Sequence, residues 1–547
     1  MQASRVFKGK YLPSHYAAHF PICLLNIDSA LKRINVNQPL STLTASPHCA
    51  ASPDGKFIAT LSSQSIIVRS APSLSIAQTI KLPPDLTTPV STLAWAPSSS
   101  RILVAGTDQI HVFSIVDSSF RATIRNPATG GGKQTLVQFG AYDDEVFACA
   151  AFGLKLSIFD LSTSKAIELN NPKFYLPSSA QRGYSLRPQS SHLAILTRTS
   201  GRDALSIHEP KTRQTLRSWY PETVDAHGLA WTPDGKWLLL WEASAHGHKL
   251  LLYTPDGQFF RSIGASSIAQ GQDADLETGI KCCSLSHDAS FCAIGDGSRT
   301  VSALHTRTWR DGLRLTHPTT VVPKDTLQVW QEQINSSSQG SASYTFLRAT
   351  QMVSPPSRLV DGKPPADVKT GCSSLAFDAS STLLVTKLDD TPTTLWIWDV
   401  TAAELRAVLM FHSVVDFQWH PTARELLLVT CQEDKYRGVS FIWDPLSQGP
   451  KAVNLGSHLP NGKVTGKTRA AWINGEPEFP VLLLSDVQNG ILISCADTAQ
   501  CPTPWHEGAT GDRTLGSVHD IGDTIDVSAL MPDDTSTLDD TFSFKHN

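Results

Sequence analysis

A unit of roughly forty residues recurs along the chain, and this repeat limits the fold more than any other feature. Its clearest copies close on Leu395-Trp396-Ile397-Trp398-Asp399 and on Phe441-Ile442-Trp443-Asp444. About 20 to 30 residues before each Trp-Asp lies an apolar strand that ends in a turn. These strands are Leu375-Ala376-Phe377-Asp378 and Phe417-Gln418-Trp419-His420-Pro421. A period of about 38 to 45 residues closing on Trp-Asp marks a β-propeller blade of the WD-repeat type. Such a blade cannot bury both its faces alone, so the repeat predicts a ring of stacked sheets.

Weaker copies keep the order of turn, strand and strand without the Trp-Asp. Ser52-Pro53-Asp54-Gly55 precedes the alternating strand Lys56 to Ala59, and Ser65 to Arg69 follows. The same order recurs at Leu93 to Phe113, Val137 to Asp160, Gly183 to Ser218, Leu229 to Tyr253 and Lys281 to His317. The two Trp-Asp copies come next, and a last copy runs from Arg469 to Cys495. Pro-Asp-Gly and Pro-Ser-Ser supply the turns. Long amphipathic helical stripes are missing, which argues against a helical solenoid. The expected fold is all-β, with about nine blade-like units. Rings of this kind commonly close with about four to eight blades. The units therefore form either one large ring or a complete ring beside an incomplete one. The last unit offers three strands, around Ala471, Leu483 and Ile491. The N-terminal segment Ser4 to Tyr11 is the expected fourth, which would hide two sheet edges.

Two regions depart from the repeat. Within residues 323–368, Leu327-Gln328-Val329-Trp330 and Tyr344-Thr345-Phe346-Leu347 read as a hairpin inserted between blades, flanked by a flexible Ser- and Pro-rich loop. Residues 496–547 hold ten acids and two bases, about −8 of a total of −4, which leaves the body of residues 1–495 near +4. That tail reads as disordered, with a short docking motif as the alternative.

Composition closes off several classes. The 547 residues are 41% hydrophobic and 18% charged, enough for a sizeable core. No apolar run reaches about 18 residues, so no membrane span is expected. Phe20-Pro21-Ile22-Cys23-Leu24-Leu25 is too short and proline-broken for a signal peptide. Ten cysteines lack Cys-x-x-Cys spacing and read as small buried residues in a reducing compartment, the cytoplasm or nucleus. No Lys/Arg cluster interleaved with aromatics points to nucleic acid.

Candidate chemistry is sparse. Gly462-Lys463-Val464-Thr465-Gly466-Lys467-Thr468 looks like a phosphate loop, but Asn461 stands where the pattern needs glycine. Gly130-Gly131-Gly132-Lys133 lacks a strand–loop–helix setting. His246-Gly247-His248 has no second ligand pair at useful spacing. No Gly-x-Ser-x-Gly elbow or distinctive carboxylate pair occurs. No catalytic, cofactor or metal residue is therefore nominated. Trp95, Trp231, Trp398 and Trp443 read as core between sheets. Asp399 and Asp444 read as local ties within their blades.

The order of several motifs resembles a eukaryotic WD-repeat family of the centrosome and the fungal spindle pole body. The motifs are Val6-Phe7-Lys8, Leu251 to Gly257, Gly279-Ile280-Lys281, Thr308-Trp309, His317-Pro318, Leu395 to Val400, Arg406 to Leu409 and Val414 to Trp419. The likeness covers roughly residues 4 to 495. It implies a non-catalytic scaffold in the cytoplasm and cytoskeleton, at the microtubule-organising centre. The implied partners are a coiled-coil anchoring protein and, in fungi, a minus-end-directed kinesin. The implied work is tethering microtubule minus ends and organising the spindle. A propeller adaptor elsewhere, such as a ubiquitin-ligase receptor or ribosome-assembly factor, is the alternative. A propeller enzyme is a more distant one.

Overall fold

The computed structural model describes residues 43–44 and 48–495, except 63, 85, 87–89, 126–133, 151–153, 174–182, 265–277, 337–341, 358–369, 424, 460–461 and 474–479. All described residues fall in one compact unit, Met1–Trp505. The acidic tail and residues 4–11 lie outside the described residues.

Alternating apolar and polar residues pair into antiparallel sheets, and nine such sheets follow one another. Blades 1 to 6 span residues 49–81, 92–125, 134–170, 184–219, 226–264 and 280–316. Blades 7 and 8 span residues 372–410 and 415–454, and blade 9 spans 469–494. The first strands touch between blades 1 and 2, 2 and 3, 4 and 5, and 6 and 7, which places them on the inner side of the ring. The fourth strands are largely exposed in blades 1 to 6, as in Thr215–Trp219 and Ile76–Lys81.

Burial follows from the stacking. Each sheet is apolar on both faces, so each face needs a neighbour. Ala59, Ile66 and Val68 of blade 1 pack with Ile102 and Val104 of blade 2. The pattern repeats from pair to pair and returns to its start. Cys49 and Ile58 of blade 1 share a core with Val481, Leu483 and Leu492 of blade 9. The nine units therefore form one ring.

The strand that completes blade 9 is Leu43–Thr44, with Leu43 opposite Gly490 and Thr44 opposite Asn489. The expectation had put residues 4–11 in that place. Leu43–Thr44 lies just before Cys49, where blade 1 begins, so a short connection brings it to the blade 9 edge. Two residues are too few to show periodicity, which hid this strand in the sequence.

The strand-to-strand turns are built alike. The first turn of several blades is Ser/Thr-x-Asp. Asp54 Oδ1 accepts from the Ser52 hydroxyl and the Lys56 amide, and Asp234 Oδ1 does the same for Thr232 and Lys236. The turn into the outer strand places its fourth residue at positive φ, as in Ser164, Arg213, Trp309 and Ala403. A register shift follows at Ile207/His208, Ala303/Leu304 and Ile397/Trp398. Such bulges bend the outer strand and increase its twist.

Removing Leu43 and Thr44 bares the edge of Asn489–Ser494. A chain starting at residue 48 should melt below one starting at residue 40 and aggregate more readily on heating. Differential scanning fluorimetry with light scattering reads both.

Candidate interaction surface

The sequence-nominated residues hold blades together. Trp398 is 5% exposed in the core shared by blades 6 and 7. Its Nε1–H donates to Thr386 Oγ1 at 3.1 Å, and the Thr386 hydroxyl faces His317 Nε2 at 2.7 Å. His317 Nδ1 sits 2.7 Å from the Arg299 carbonyl. A carbonyl only accepts, so Nδ1 carries the hydrogen and Nε2 is free to accept from threonine. Burial pushes His317 down to about 4, which favours the neutral ring with Nε2 as acceptor.

Asp399 caps the turn to the outer strand of blade 7, accepting from the Thr401 and Ala402 amides. Asp160 does the same in blade 3 for Ser162 and Thr163. Asp444 accepts from the Leu446 amide, and burial raises its carboxyl to about 6. Trp443 is fully buried between blades 7 and 8, and Trp231 lies between blades 4 and 5.

Trp95 departs from the expected core role. It is half-buried, and its Nε1–H donates to the Ala50 carbonyl on the first strand of the preceding blade at 2.9 Å. Trp419 makes the same bond to Ala376 at 3.0 Å, and Trp472 to Gln418 at 3.2 Å. These indoles bolt inner strands of adjacent blades together.

Sequence reasoning also missed the charged ties. Arg213 of blade 4 pairs bidentately with Glu145 of blade 3 at 2.5 and 2.8 Å, with both side chains nearly enclosed. Blades 6 and 7 are joined by Lys281–Asp389 and Arg299–Asp390. These ties, with His317, hold the two blades together although 54 residues separate His317 from Cys372 in sequence and include the hairpin strands Gln328–Ser336 and Ala342–Arg348.

That intervening chain forms the most distinctive surface. Gln328–Ser336 and Ala342–Arg348 make a hairpin, with Trp330 opposite Arg348 and Ile334 opposite Tyr344. The hairpin does not stand alone between blades. Its first strand joins the outer strand of blade 7 in parallel, with Gln328 opposite Ala407 and Gln331 opposite Met410. Blade 7 thereby becomes a six-stranded sheet. The hairpin then leans on blade 8. Phe346 meets Phe411 at 5.3 Å and Phe441 at 5.6 Å, while Tyr344 lies 5.2 Å from Tyr436. Gln328 Nε2 donates to the Pro445 carbonyl.

A buried carboxylate locks this joint. Glu332 is 2% exposed, and its Oε2 accepts from the Tyr436 hydroxyl at 2.7 Å and the His412 amide at 2.8 Å. Burial and the Glu332 carboxylate push the Tyr436 phenol well above its usual range.

Beside this joint opens a cleft of about 1040 Å³ between blades 8, 9 and 1. Its lining includes Cys49, Asp416, Tyr436, Lys467, Arg469 and Trp472, so both charge signs and aromatic surface are present. The phosphate-loop look-alike ends here. The Thr465 amide and hydroxyl are both held by Asp486 Oδ2, at 2.9 and 3.2 Å. A carboxylate already occupies the place where a phosphate would need donors. Among the described residues, no group of three or more His, Cys, Asp or Glu side chains could hold a metal. Six of the eight described cysteines are buried. No helix among the described residues is long and apolar enough to cross a membrane.

Three measurements follow. Trp398→Ala leaves a cavity and removes one of the bonds to the Thr386 hydroxyl, and should cost about 3–5 kcal/mol in chemical denaturation. Glu332→Ala strips the acceptor from the buried Tyr436 hydroxyl, at about 1–3 kcal/mol, and from the part-buried His412 amide, and should expose the hairpin to protease. Glu332→Gln keeps one acceptor and should be milder. For pH, His317 and His420 both titrate near 4 when folded and near 6.5 when unfolded. Their share of stability is full above 6.5 and is lost as pH falls toward 4. Asp444 acts oppositely, since its raised folded value favours the fold at low pH and loses that effect as pH rises through about 6. Imidazole nitrogen shifts should show His317 neutral at pH ~5 in the folded chain.

No protein-family model matches the chain. Two curated relatives do. The WD repeat-containing protein WRAP73 of Mus musculus is 26% identical over 415 residues, 73% of this chain and 84% of that protein. The uncharacterized WD repeat-containing protein C32H8.09 of Schizosaccharomyces pombe is 24% identical over 398 residues, 71% of this chain and 76% of that protein. Among solved structures, the Dos1 propeller aligns with a TM-score of 0.45 at 12% identity, over 75% of this chain and 93% of that one. A crystal structure described as the eukaryotic initiation factor aligns at 0.46 and 11% identity, over 76% and 90%. Among the described residues the architecture is a nine-bladed β-propeller, and both sequence relatives are WD-repeat proteins.

Proposed function

We propose that the chain is a non-catalytic scaffold of the microtubule-organising centre, joining a coiled-coil anchoring protein to microtubule minus ends at the spindle pole. In a fungal cell a minus-end-directed kinesin would share the complex. The observation that carries this reading is the order of the family-like motifs from Val6 to Cys495. Both curated relatives are WD-repeat proteins matched over most of their length, which fits it.

The geometry suits such work. A closed ring holds loops at fixed angles, so two partners can bind one body without meeting. The nominated Trp and Asp residues are engaged in packing and turn capping, which leaves rims, hairpin and cleft for partners. The cleft of blades 8, 9 and 1 and the hairpin on blade 7 are adjacent through Tyr436, so one partner could engage both.

A fluorescent fusion that complements loss of the gene should concentrate at spindle poles through mitosis. Depletion should leave tubulin polymerisation intact and produce detached or misplaced poles. A complementing fusion that never gathers at poles rejects this location in favour of an adaptor in another complex.

A further inference from the structure

Cysteine serves this fold mostly as a small buried side chain, and one position departs from that use. Cys283 lies on Ile280–Leu285, the first strand of blade 6, and is partly exposed. Its Sγ stands 3.4 Å from the Sγ of Cys292 on the second strand, Phe291–Asp296. Cys283 is opposite Ile294 and Cys292 is opposite Leu285, so the two sulfurs meet along a diagonal of the sheet. Strand twist brings such diagonal neighbours on one face together. Cys292 is fully buried, in the core of blades 5 and 6 that holds Trp241 and Leu304. One sulfur of the pair is therefore within reach of solvent, and the other lies behind it. The contact with Cys283 and burial both push the Cys292 thiol well up.

The other described cysteines differ from this pair. Cys282, one residue earlier, packs on the opposite face, where its Sγ lies 3.5 Å from the Cys372 carbonyl of blade 7. Both members of that pair are buried, and the contact with Cys372 together with burial raises the Cys282 thiol well above its ordinary value. Cys431 is partly exposed, but burial and the Glu332 carboxylate push its thiol up. Cys49, Cys149 and Cys495 are buried. A thiol held in its protonated form is a poor nucleophile.

We propose that Cys283 and Cys292 are a peroxide-reactive pair that closes into a disulfide within blade 6. The Cys283 sulfur, as thiolate, attacks one oxygen of hydrogen peroxide. The O–O bond breaks, and the hydroxide released takes up the proton that Cys283 lost and becomes water. Cys283 is then a sulfenic acid. The Cys292 sulfur attacks it, and an S–S bond forms as the S–O bond breaks. The second hydroxide leaves with the Cys292 proton as water. Two thiols have given two electrons to one peroxide. The sulfurs start in contact and close to about 2.0 Å on bonding. A bridge across a diagonal is held off its relaxed geometry and is readily reduced, so a dithiol restores both thiols. The site does not depend on where in the cell the scaffold works.

The test treats the reduced full chain with hydrogen peroxide, blocks the remaining thiols with N-ethylmaleimide and reads the tryptic fragment 282–299 by mass spectrometry. That fragment carries Cys282, Cys283 and Cys292. The expected product has lost two hydrogens and carries one maleimide, on Cys282. Dithiothreitol before blocking should return all three maleimides. Cys283→Ser should slow the loss of the Cys292 thiol about tenfold, because the buried sulfur has lost its route to the oxidant. In Cys292→Ala the sulfenic acid on Cys283 should persist and be trapped by dimedone. Circular dichroism checks that each variant is folded, and Cys283→Ser, at a partly exposed position, carries the test if Cys292→Ala does not fold. Three maleimides on the peroxide-treated folded chain overturn the proposal. So does a bond from Cys282 to Cys372, or loss of the Cys292 thiol at an unchanged rate in Cys283→Ser. These measurements involve no localisation, so they can fail while the spindle-pole reading stands, and the reverse.

Discussion

Everything in this molecule depends on one sheet lying against the next. A four-stranded blade has two apolar faces and no helix to cover either, so its stability is its neighbours' surface. In an open stack the two end blades would each expose a face. The ring removes both ends by packing Ile473 and Val481 of blade 9 against Cys49 and Ile58 of blade 1. Closure therefore concerns the whole chain, and it is made by residues far apart in sequence. The short strand Leu43–Thr44 adds a backbone tie to that packing, since it hydrogen-bonds to blade 9 just before the chain enters blade 1.

Face-to-face packing by itself sets no register between blades, because apolar contact is not directional. Directional bonds supply it. Trp95, Trp419 and Trp472 each reach an inner-strand carbonyl of the preceding blade. The Arg213–Glu145 fork does the same between blades 3 and 4. Burying such a pair is costly, and its return is a fixed geometry more than added stability. The ties cluster between blades 6 and 7, where the chain leaves to build the hairpin. Lys281, Arg299 and His317 all reach the Thr386 to Asp390 stretch of blade 7. A junction with no short covalent link depends more than the others on side chains crossing it.

The repeat was legible because it is written in strand alternation and turn chemistry, both local. Ser52-Pro53-Asp54-Gly55 and Thr232-Pro233-Asp234-Gly235 announce the same turn, and Leu395 to Asp399 the same third strand. Nine units could be counted on that basis. Whether they closed into one ring could not be read, since closure lives in contacts between the first and last blades. The indole bonds were hidden for a similar reason. A tryptophan ending an apolar strand looks like core until its neighbour's carbonyl is in place. The hairpin strands were visible as Leu327 to Trp330 and Tyr344 to Leu347. Their parallel pairing with Glu404–Met410 was not, because it joins segments separated by most of a blade.

The candidate surfaces follow from the same division. Residues that repeat are engaged in making blades, so what is particular to this chain lies where the repeat is broken. Blade 7 has its outer edge covered by its own hairpin, sealed by Glu332 and the Phe346–Phe411–Phe441 cluster. Blades 4 to 6 leave theirs uncovered and line them with arginine and aromatic side chains. The two solutions meet one physical problem, since every outer strand presents unpaired amides and carbonyls. Covering an edge from within removes it as a binding site, while charged side chains on an open edge deter unwanted pairing. Among the described residues blade 7 alone covers its outer edge from within, so the hairpin and the cleft beside it are where this ring departs furthest from its own repeat.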